Sequence, residues 1–449
     1  MLEKIFVKVR EASRRVALAP DSQRSEALRR LAQLVEENMD NILRANALDL
    51  SKMDAANPLY DRLQLTPERL RAIAADLRHV ASLPAPDGEV VEERTLDNGI
   101  ALRQVRVPFG VVGVIYEARP NVTYDVFSLC LKSGNACVLK GGHDAEESNR
   151  AAIALIHRAL ADVGLPVEAC ELLPSTHEAT AEMLNAVEYI DVCIPRGGRR
   201  LIDFVRDNAR VPVIETGAGV VHIYFDAAAD LQMGTAIICN AKTRRVSVCN
   251  ALDTLLIHRS RLSDLPAIVA PLLARGVALH ADPASLAALV GAPTQVPTMA
   301  SQASPLASQA CRGARMASCS PALLSSEAFG ERIVAAVAED ADREWMSHNM
   351  GIFTVDSLDD ALAHIAAHGS GHSESIITED EAAARRFQTE VDASSVYVNL
   401  PTSFTDGGQF GLGAEVGIST QKLGPRGPMG LKALTTTKYL LTGRGQLRP

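Results

Sequence analysis

The feature that most restricts the fold is an alternation of short apolar runs and helix-like segments that begins near residue 110. Apolar runs at 111–116, 136–139, 170–173, 189–194 and 211–214 predict strands, and the segments at 123–132, 145–163, 177–186 and 198–208 predict helices. Strands separated by helices form a parallel sheet with helices on both faces. Such sheets bind ligands at the carboxyl ends of their strands, where this sequence has Lys140-Gly141-Gly142, Pro195-Arg196-Gly197-Gly198 and Glu215-Thr216-Gly217.

Other patterns flank this region. Residues 1 to about 82 have helical spacing of apolar residues, and Asp144 is the predicted N-cap of the helix at 145–163. Asp97-Asn98-Gly99 separates two alternating segments and predicts a hairpin over 90–107, because Asn-Gly favours tight hairpin turns. The tail at 433–441 is strand-like, and we expect it to pair with the hairpin of a neighbouring subunit.

A second α/β region follows, with a strand at 255–258 and helices at 265–275 and 382–388. The stretch from 291 to about 326 is rich in Ala, Ser, Pro and Thr, which predicts a mobile loop, with poor order or a short helix as alternatives. The predicted class is α/β, with two doubly wound parallel-sheet domains. The predicted boundaries are 1–226, which includes the hairpin, 227–405, and a return segment with an oligomerisation strand at 406–449.

Composition excludes several classes of protein. The chain has 449 residues, enough for two or three domains, with 47% hydrophobic and 22% charged residues. Its formal net charge of −9 argues against a nucleic-acid coat and against binding to an anionic membrane surface. An anionic small molecule remains compatible with a local basic pocket.

The eight cysteines form no CxxC pair and no Cys/His cluster with zinc spacing, so we expect reduced thiols and no metal site. The amino terminus has no apolar signal-peptide core, and no uncharged stretch is long enough to cross a bilayer. A cytoplasmic enzyme or binding protein fits these features best.

Cys249 is the candidate nucleophile. It follows Lys242, Arg244 and Arg245 and lies between an apolar helix-like stretch and an apolar strand-like one. An ordinary thiol has a pKa of about 8.5, and nearby cations lower that value and raise the reactive thiolate fraction. A small buried hydrophobic role is the more common one for cysteine, so local context alone leaves both interpretations open.

A resemblance extends over nearly the whole chain. The stretches that carry it are VPFGVVGVIYEARPNVT at 107–123, CLKSGNA at 130–136, IPRGG at 194–198, NAKT at 240–243, CNAL at 249–252 and FGLGAEVGISTQK at 410–422. Together, in this order, they closely resemble the γ-glutamyl phosphate reductase family. The resemblance implies the aldehyde dehydrogenase fold.

The resemblance also implies a reaction, in which γ-glutamyl phosphate and NADPH give glutamate semialdehyde, phosphate and NADP early in proline synthesis. Cys249 would attack the acyl phosphate and form a thioester, which hydride transfer then reduces. Asn121 and the Cys249 backbone N–H are the candidate oxyanion donors. The implied partners are the small-molecule substrate, a further copy of the chain and the preceding glutamate kinase, with no nucleic acid and no membrane.

The family places a lysine such as Lys140 on the adenosine ribose of the cofactor, and a cation there favours NADPH over NADH. The implied cofactor contacts are Lys140, Gly141, Gly142, Pro195, Arg196, Gly197, Gly198 and Gly217. No GxGxxG follows the first strand, so cofactor binding is implied by the family rather than by that fingerprint. Arg119, Lys242, Arg244 and Arg245 are the candidates for phosphate and substrate carboxylate.

Glu215 matches the glutamate that activates water in hydrolytic aldehyde dehydrogenases, a step that an enzyme exchanging phosphate does not need. Several positions depart from the family pattern, namely Arg245-Val246-Ser247-Val248, Ser403, Gln409 and the stretch at 345–350. Three hypotheses therefore stand: an NADPH-dependent acyl phosphate reductase, a hydrolytic aldehyde dehydrogenase acting on another small aldehyde, and a non-catalytic relative.

Overall fold

The structure is a computed structural model that describes residues 2–54, 57, 60–117, 119–290 and 330–448. The predicted loop at 291–326 lies outside the described residues. The chain divides into two compact units, one formed by Met1–Ala218 with Thr405–Pro449 and the other by Gly219–Phe404. The return segment therefore belongs to the first unit, and the divisions fall at 218 and 404 where the sequence predicted boundaries at 226 and 405.

The first unit begins with helices, as the apolar spacing of residues 1–82 predicted. They are α1 Glu3–Leu18, α2 Asp21–Glu37, α3 Met39–Leu50, α4 Tyr60–Leu63 and α5 Pro67–Ser82. Apolar faces of these helices, including Phe6, Leu28 and Leu31, are buried in one cluster with the strands of the unit. Helix α5 starts where Thr66 accepts a hydrogen bond from the Arg69 backbone N–H, with Pro67 at the first helical position.

A parallel sheet forms the centre of this unit. Its strands are β3 Val111–Tyr116, β4 Ala136–Gly141, β5 Cys170–Leu172 and β6 Val192–Arg196. Their order is β5-β4-β3-β6, and all neighbouring pairs are parallel. The intervening helices are α6 Asn121–Lys132, α7 Glu146–Asp162, α8 His177–Leu184 and α9 Arg199–Asn208. The predicted strand at 211–214 is wrong, because this segment makes only an isolated bridge between Val213 and Cys193.

The predicted hairpin is confirmed as β1 Val90–Thr95 and β2 Ala101–Pro108, paired antiparallel. Gly99 at its turn has a φ of +80°, a conformation that glycine adopts without steric cost. The tail forms β16 Thr435–Thr442, which pairs with β2 of the same chain from Thr435 opposite Pro108 to Thr442 opposite Ala101. Pairing with another subunit's hairpin was therefore the wrong expectation for this strand. A short ladder of β14 Ile418–Ser419 and β15 Gly427–Pro428 precedes it.

The second unit contains the larger sheet. Its described strands are β7 His222–Phe225, β8 Thr254–His258, β9 Ala278–Ala281, β10 Ile333–Ala335, β11 Asn349–Val355, β12 Ser373–Ile377 and β13 Ser395–Val398. They are all parallel and lie in the order β10-β9-β11-β8-β7-β12-β13. The helices are α10 Leu231–Thr243, α11 Leu265–Leu273, α12 Pro283–Val290, α13 Leu358–His368 and α14 Glu381–Glu390. Apolar clusters on the two faces of this sheet confirm the predicted doubly wound class.

Among the described residues, no helix is both long enough and apolar enough to cross a membrane.

Candidate active site

Cys249 lies in a turn between α10 and β8, as its flanking sequence predicted, and its side chain is partly accessible. The register of the sheet places Thr254 of β8 opposite His222 of β7, and His222 opposite Glu374 of β12. Neighbouring parallel strands begin at the same edge of a sheet, so the segments that lead into β7, β8 and β12 lie close together at that edge. Cys249 therefore lies at the amino edge of its sheet.

His372, directly before β12, is brought close to the thiol at this edge. Its Nε2 lies 3.2 Å from the Cys249 Sγ, and its Nδ1 lies 2.7 Å from the hydroxyl of Ser373. The ring is fully buried, and burial lowers the pKa of His372 to about 4, so the imidazole is neutral near pH 7. No local sequence pattern marks this residue as functional.

Gly219, which leads into β7, packs directly on the backbone of Cys249. A Cβ atom at this position would lie 1.6 Å from the Cys249 carbonyl oxygen, so only glycine permits the observed approach. The Gly219 backbone N–H also donates to a carboxylate oxygen of Glu344 at 3.0 Å. Glu344, which directly precedes the altered stretch at 345–350, thus helps to hold the segment that supports the nucleophile.

Lys242 is a correction to the predicted phosphate contacts. Its side chain is fully buried, and its ammonium group donates to the Leu252 carbonyl oxygen at 2.8 Å. Burial lowers the pKa of Lys242 and raises the pKa of Asp253, while the opposite charge of each acts against the shift of the other. Lys242 therefore stabilises the start of β8, because a buried ammonium group hydrogen-bonded to the backbone is not available to a solvated anion. Arg244 and Arg245 are exposed beyond the end of α10.

Ser403, another departure from the family pattern, lies against the nucleophile segment. Its hydroxyl donates to the Asn240 side-chain oxygen at 3.2 Å, and Thr402 donates to the Asn250 carbonyl oxygen at 2.9 Å. These contacts join the 402–404 turn to α10 and to the residue after Cys249. The serine is therefore part of the packing around the turn.

In the first unit, the strand order changes direction between β3 and β6, which is where open α/β sheets form ligand crevices. The segment Pro195-Arg196-Gly197-Gly198 ends β6 at this point and leads into α9. The Glu117 carboxylate, which follows β3, accepts a hydrogen bond from the Gly198 N–H at 3.0 Å. A Cβ atom on Gly197 would lie 2.6 Å from the same carboxylate, so the glycine at 197 permits this close contact.

A cavity of about 510 Å³ opens at the carboxyl ends of β4 and β5. Gly141, Gly142, Glu146 and Arg150 contribute to its lining. Lys140 directly precedes the two glycines, and partial burial lowers its pKa. The volume of the cavity suits one nucleoside portion of a dinucleotide. Its lining combines glycine backbone, charged groups and apolar side chains.

Asn121 begins α6, and its side-chain amide donates to a carboxylate oxygen of Asp125 one turn later, at 2.9 Å. An amide nitrogen carries two hydrogens, so one donor of Asn121 is held in this bond and the other stays available for a ligand. Arg119, two residues earlier, is partly buried, and its carbonyl oxygen accepts from the Val122 N–H.

Glu215 and Gly217 have local partners in the first unit. The Glu215 carboxylate lies 3.8 Å from the Arg206 guanidinium, and its backbone N–H donates to the Gln421 side-chain oxygen. Gly217 donates its N–H to the Ile418 carbonyl oxygen, and a Cβ atom there would lie 2.2 Å from a Thr420 methyl carbon. Close packing against β14 therefore accounts for the glycine at 217.

Arg196 is the cation of a carboxylate cluster in the first unit. Burial raises the pKa of Asp125 to about 6 and that of Glu415 to about 7, and the Arg196 charge opposes both shifts. Glu415 also accepts a hydrogen bond from the Gly407 N–H at 2.9 Å. Such raised values are common where buried acids surround a functional site.

We expect replacement of Glu415 with glutamine to flatten the pH dependence of stability. The folded pKa of about 7 exceeds the ordinary value of 4.5, so the wild-type protein loses stability as the pH rises from 4.5 to 7. The full contribution is on the order of 3 kcal/mol. Urea unfolding at pH 5 and pH 8 measures it, and Glu415→Gln is expected to gain stability relative to wild type at pH 8.

Glu188→Gln is the matched control, since Glu188 is an exposed carboxylate in the same unit. Its effect is expected to be the same at both pH values. An equal effect of Glu415→Gln at pH 5 and pH 8 would show that the side chain titrates normally.

Within the part of the chain that the structure describes, no three His, Cys, Asp or Glu side chains are grouped so that they would hold a metal ion.

Comparison with known proteins supports both the sequence pattern and the fold. The profile of the aldehyde dehydrogenase family matches residues 2–438. A γ-glutamyl phosphate reductase from Pelodictyon phaeoclathratiforme is 51% identical over 448 residues, which span 100% of this chain and 99% of that protein. One from Bacteroides fragilis is 49% identical over 447 residues, again spanning 100% and 99%. The crystal structure of a γ-glutamyl phosphate reductase from Thermotoga maritima is 37% identical, with a TM-score of 0.87 and 100% of both chains covered.

Proposed function

The chain belongs to the aldehyde dehydrogenase family, and from this premise we propose that it reduces L-glutamyl 5-phosphate to L-glutamate 5-semialdehyde and phosphate in proline biosynthesis. The observation that carries the proposal is the full-length match, at about half identity, to proteins named γ-glutamyl phosphate reductase. The chain is an oxidoreductase that uses a nicotinamide cofactor.

Cys249 supplies the covalent step. Its sulfur, as thiolate, attacks the acyl carbon of the substrate, a carbon–sulfur bond forms and the carbon–oxygen bond to phosphate breaks. The product of this step is a thioester on Cys249 and free phosphate. When bound, the nicotinamide cofactor supplies hydride to the thioester carbon. The carbon–sulfur bond then breaks, which releases the aldehyde and regenerates the thiolate.

Asn121 is the proposed side-chain donor to the oxyanion that forms at the acyl carbon, together with the backbone N–H of Cys249. The bond from Asn121 to Asp125 supports this role, because it fixes the amide while one N–H stays available. Glu215 has no proposed part in proton transfer, since its carboxylate is paired with Arg206 and phosphate release needs no activated water.

The cavity beyond β4 and β5 is the proposed site of the adenosine end of the cofactor, with Gly141 and Gly142 of its lining as contacts and Lys140, which directly precedes them, as a further proposed contact. A cation at Lys140 suits a 2′-phosphate, which favours NADPH over NADH. The segment Pro195-Arg196-Gly197-Gly198 is the proposed contact for the remainder of the cofactor. Gly217 drops out of this set because its close packing on Thr420 explains it.

Arg119, Arg244 and Arg245 are the proposed contacts for the substrate phosphate and carboxylate, and Lys242 is withdrawn from this group. A homo-oligomer, an interaction with the preceding kinase and a cytoplasmic location belong to the same proposal. Charge supports the cation assignments, because a doubly anionic ligand needs local cations in a chain with a net charge of −9.

The decisive assay runs the reaction backwards with glutamate semialdehyde and NADP. We expect NADP reduction to require inorganic phosphate and to yield an acyl phosphate that hydroxylamine traps as the hydroxamate. Formation of free glutamate without phosphate would instead establish a hydrolytic aldehyde dehydrogenase. Absence of NADP reduction in a folded preparation would establish a non-catalytic relative.

A further inference from the structure

His372 is held in a fixed position beside the thiol. Gly371 has a φ of +70°, which turns the chain sharply just before the histidine. The His372 carbonyl oxygen then accepts hydrogen bonds from the Ser394 hydroxyl at 2.5 Å and from the Ser395 backbone N–H at 3.2 Å. The residue is fully buried, so its ring has little freedom to move away from the Cys249 sulfur.

The two ring nitrogens have different partners. Nδ1 lies 2.7 Å from the Ser373 hydroxyl, and Nε2 lies 3.2 Å from the Cys249 sulfur. A neutral imidazole carries a hydrogen on one nitrogen only. If the serine hydroxyl donates to Nδ1, the hydrogen must be on Nε2, where it points at the sulfur.

Burial favours the neutral ring. It lowers the pKa of His372 to about 4, and burial alone accounts for this shift. An imidazolium–thiolate ion pair therefore does not form readily at neutral pH. A neutral donor to a thiolate needs no second charge, and hydrogen bonds to ionised groups are among the stronger ones in proteins.

We propose that His372 is a catalytic residue whose neutral imidazole donates its Nε2 hydrogen to the Cys249 sulfur and thereby stabilises the thiolate. The role rests on the proposed function of Cys249 as the nucleophile. The thiol loses its proton to solvent before the attack. When the carbon–sulfur bond breaks, the sulfur is again a thiolate and accepts the same hydrogen bond from His372. The histidine neither gains nor loses a proton in the cycle.

Alkylation of Cys249 by iodoacetamide tests this proposal without substrate or cofactor. Mass spectrometry of the Cys249 peptide measures its rate between pH 5 and pH 9. In His372→Ala we expect alkylation at pH 7 to be about tenfold slower, with the pH profile moved to higher pH, because the thiolate loses a charge-assisted hydrogen bond. In His372→Gln we expect most of the rate to return, since the glutamine amide offers an N–H donor.

The matched control is His258→Ala. The His258 Nδ1 also lies beside a serine hydroxyl, that of Ser260, at 2.8 Å, but its hydrogen bonds serve a helical turn. Alkylation of Cys249 in this variant is expected to equal that of wild type. If circular dichroism shows that His372→Ala does not fold, Ser373→Ala replaces it. Loss of the hydroxyl that fixes the tautomer is expected to slow alkylation about threefold.

Wild-type alkylation rates in His372→Ala, or in Ser373→Ala where it replaces that variant, would overturn the proposal. A glutamine variant as slow as the alanine variant would overturn the donor role and indicate a general base instead. Neither result bears on the substrate, which the phosphate-dependent assay tests separately. A protein with no reductase activity would still show the alkylation contrast if the hydrogen bond exists.

Discussion

Cys249→Ser is expected to lower kcat for glutamyl phosphate reduction by at least about 10⁴-fold, because a serine hydroxyl forms an alkoxide far less readily than a thiol forms a thiolate. The neutral ring of His372 stabilises a thiolate that has already formed. The ring itself is a weak base. Stopped-flow measurement of phosphate release in a single turnover separates thioester formation from hydride transfer. Both are expected to disappear in the serine variant.

The control for this substitution is Cys239→Ser. Cys239 is a buried cysteine on α10 in the same unit, and its sulfur lies 3.8 Å from the Thr243 hydroxyl, so the same atom is replaced away from the turn. We expect this variant to keep most of its activity. Retention of more than a few per cent of wild-type kcat in Cys249→Ser would remove the covalent mechanism.

The position of Cys249 was predictable because its signal is local. The apolar helix before it and the apolar strand after it are both recognisable from spacing, and α10 and β8 confirm them. His372 lies 123 residues further along the chain, and no local pattern connects it with the thiol. Only the order and register of β7, β8 and β12 bring the two residues together. The spacing of apolar residues along the sequence does not reveal the order of strands within a parallel sheet.

For the cations that precede the thiol in sequence, proximity along the chain was misleading. Lys242, Arg244 and Arg245 are close to Cys249 in sequence, which suggested one electropositive pocket. Their environments differ, since Lys242 in the last turn of α10 points into the core towards Leu252, while both arginines lie beyond the end of the helix and are exposed. Proximity along a chain gives the local charge composition, but the direction of each side chain decides which residues share an environment.

The amino terminus of α7 illustrates a third limit. Asp144 was the predicted cap, yet Asp49 of α3 accepts from the backbone N–H groups of Glu147 and Ser148, at 3.1 and 2.8 Å. Carboxylates stabilise helix amino termini wherever they come from in the chain. Tertiary contacts thus supplied a cap that local rules assigned to a neighbour. The hairpin turn at Gly99 was predictable because its constraint is a single backbone angle.

Gly219→Ala is expected to lower kcat/KM by more than about 10²-fold without unfolding the protein. The added Cβ would lie 1.6 Å from the Cys249 carbonyl oxygen, 2.6 Å from its carbonyl carbon and 3.1 Å from its Cα. All three atoms are backbone, so the nucleophile segment itself must move by more than an ångström. A displacement of that size at a reacting atom costs about two orders of magnitude in rate.

Steady-state kinetics with circular dichroism as a check on folding measures this effect, and Gly443→Ala is the control. A Cβ at Gly443 would meet the end of the Gln446 side chain at 2.8 Å, and that side chain can rotate away. Because the same displacement separates Cys249 from His372, Gly219→Ala is also expected to slow alkylation of the thiol. A variant with more than half of wild-type activity would show that the turn carrying Cys249 adjusts freely, and that its contact with Gly219 does not position the nucleophile.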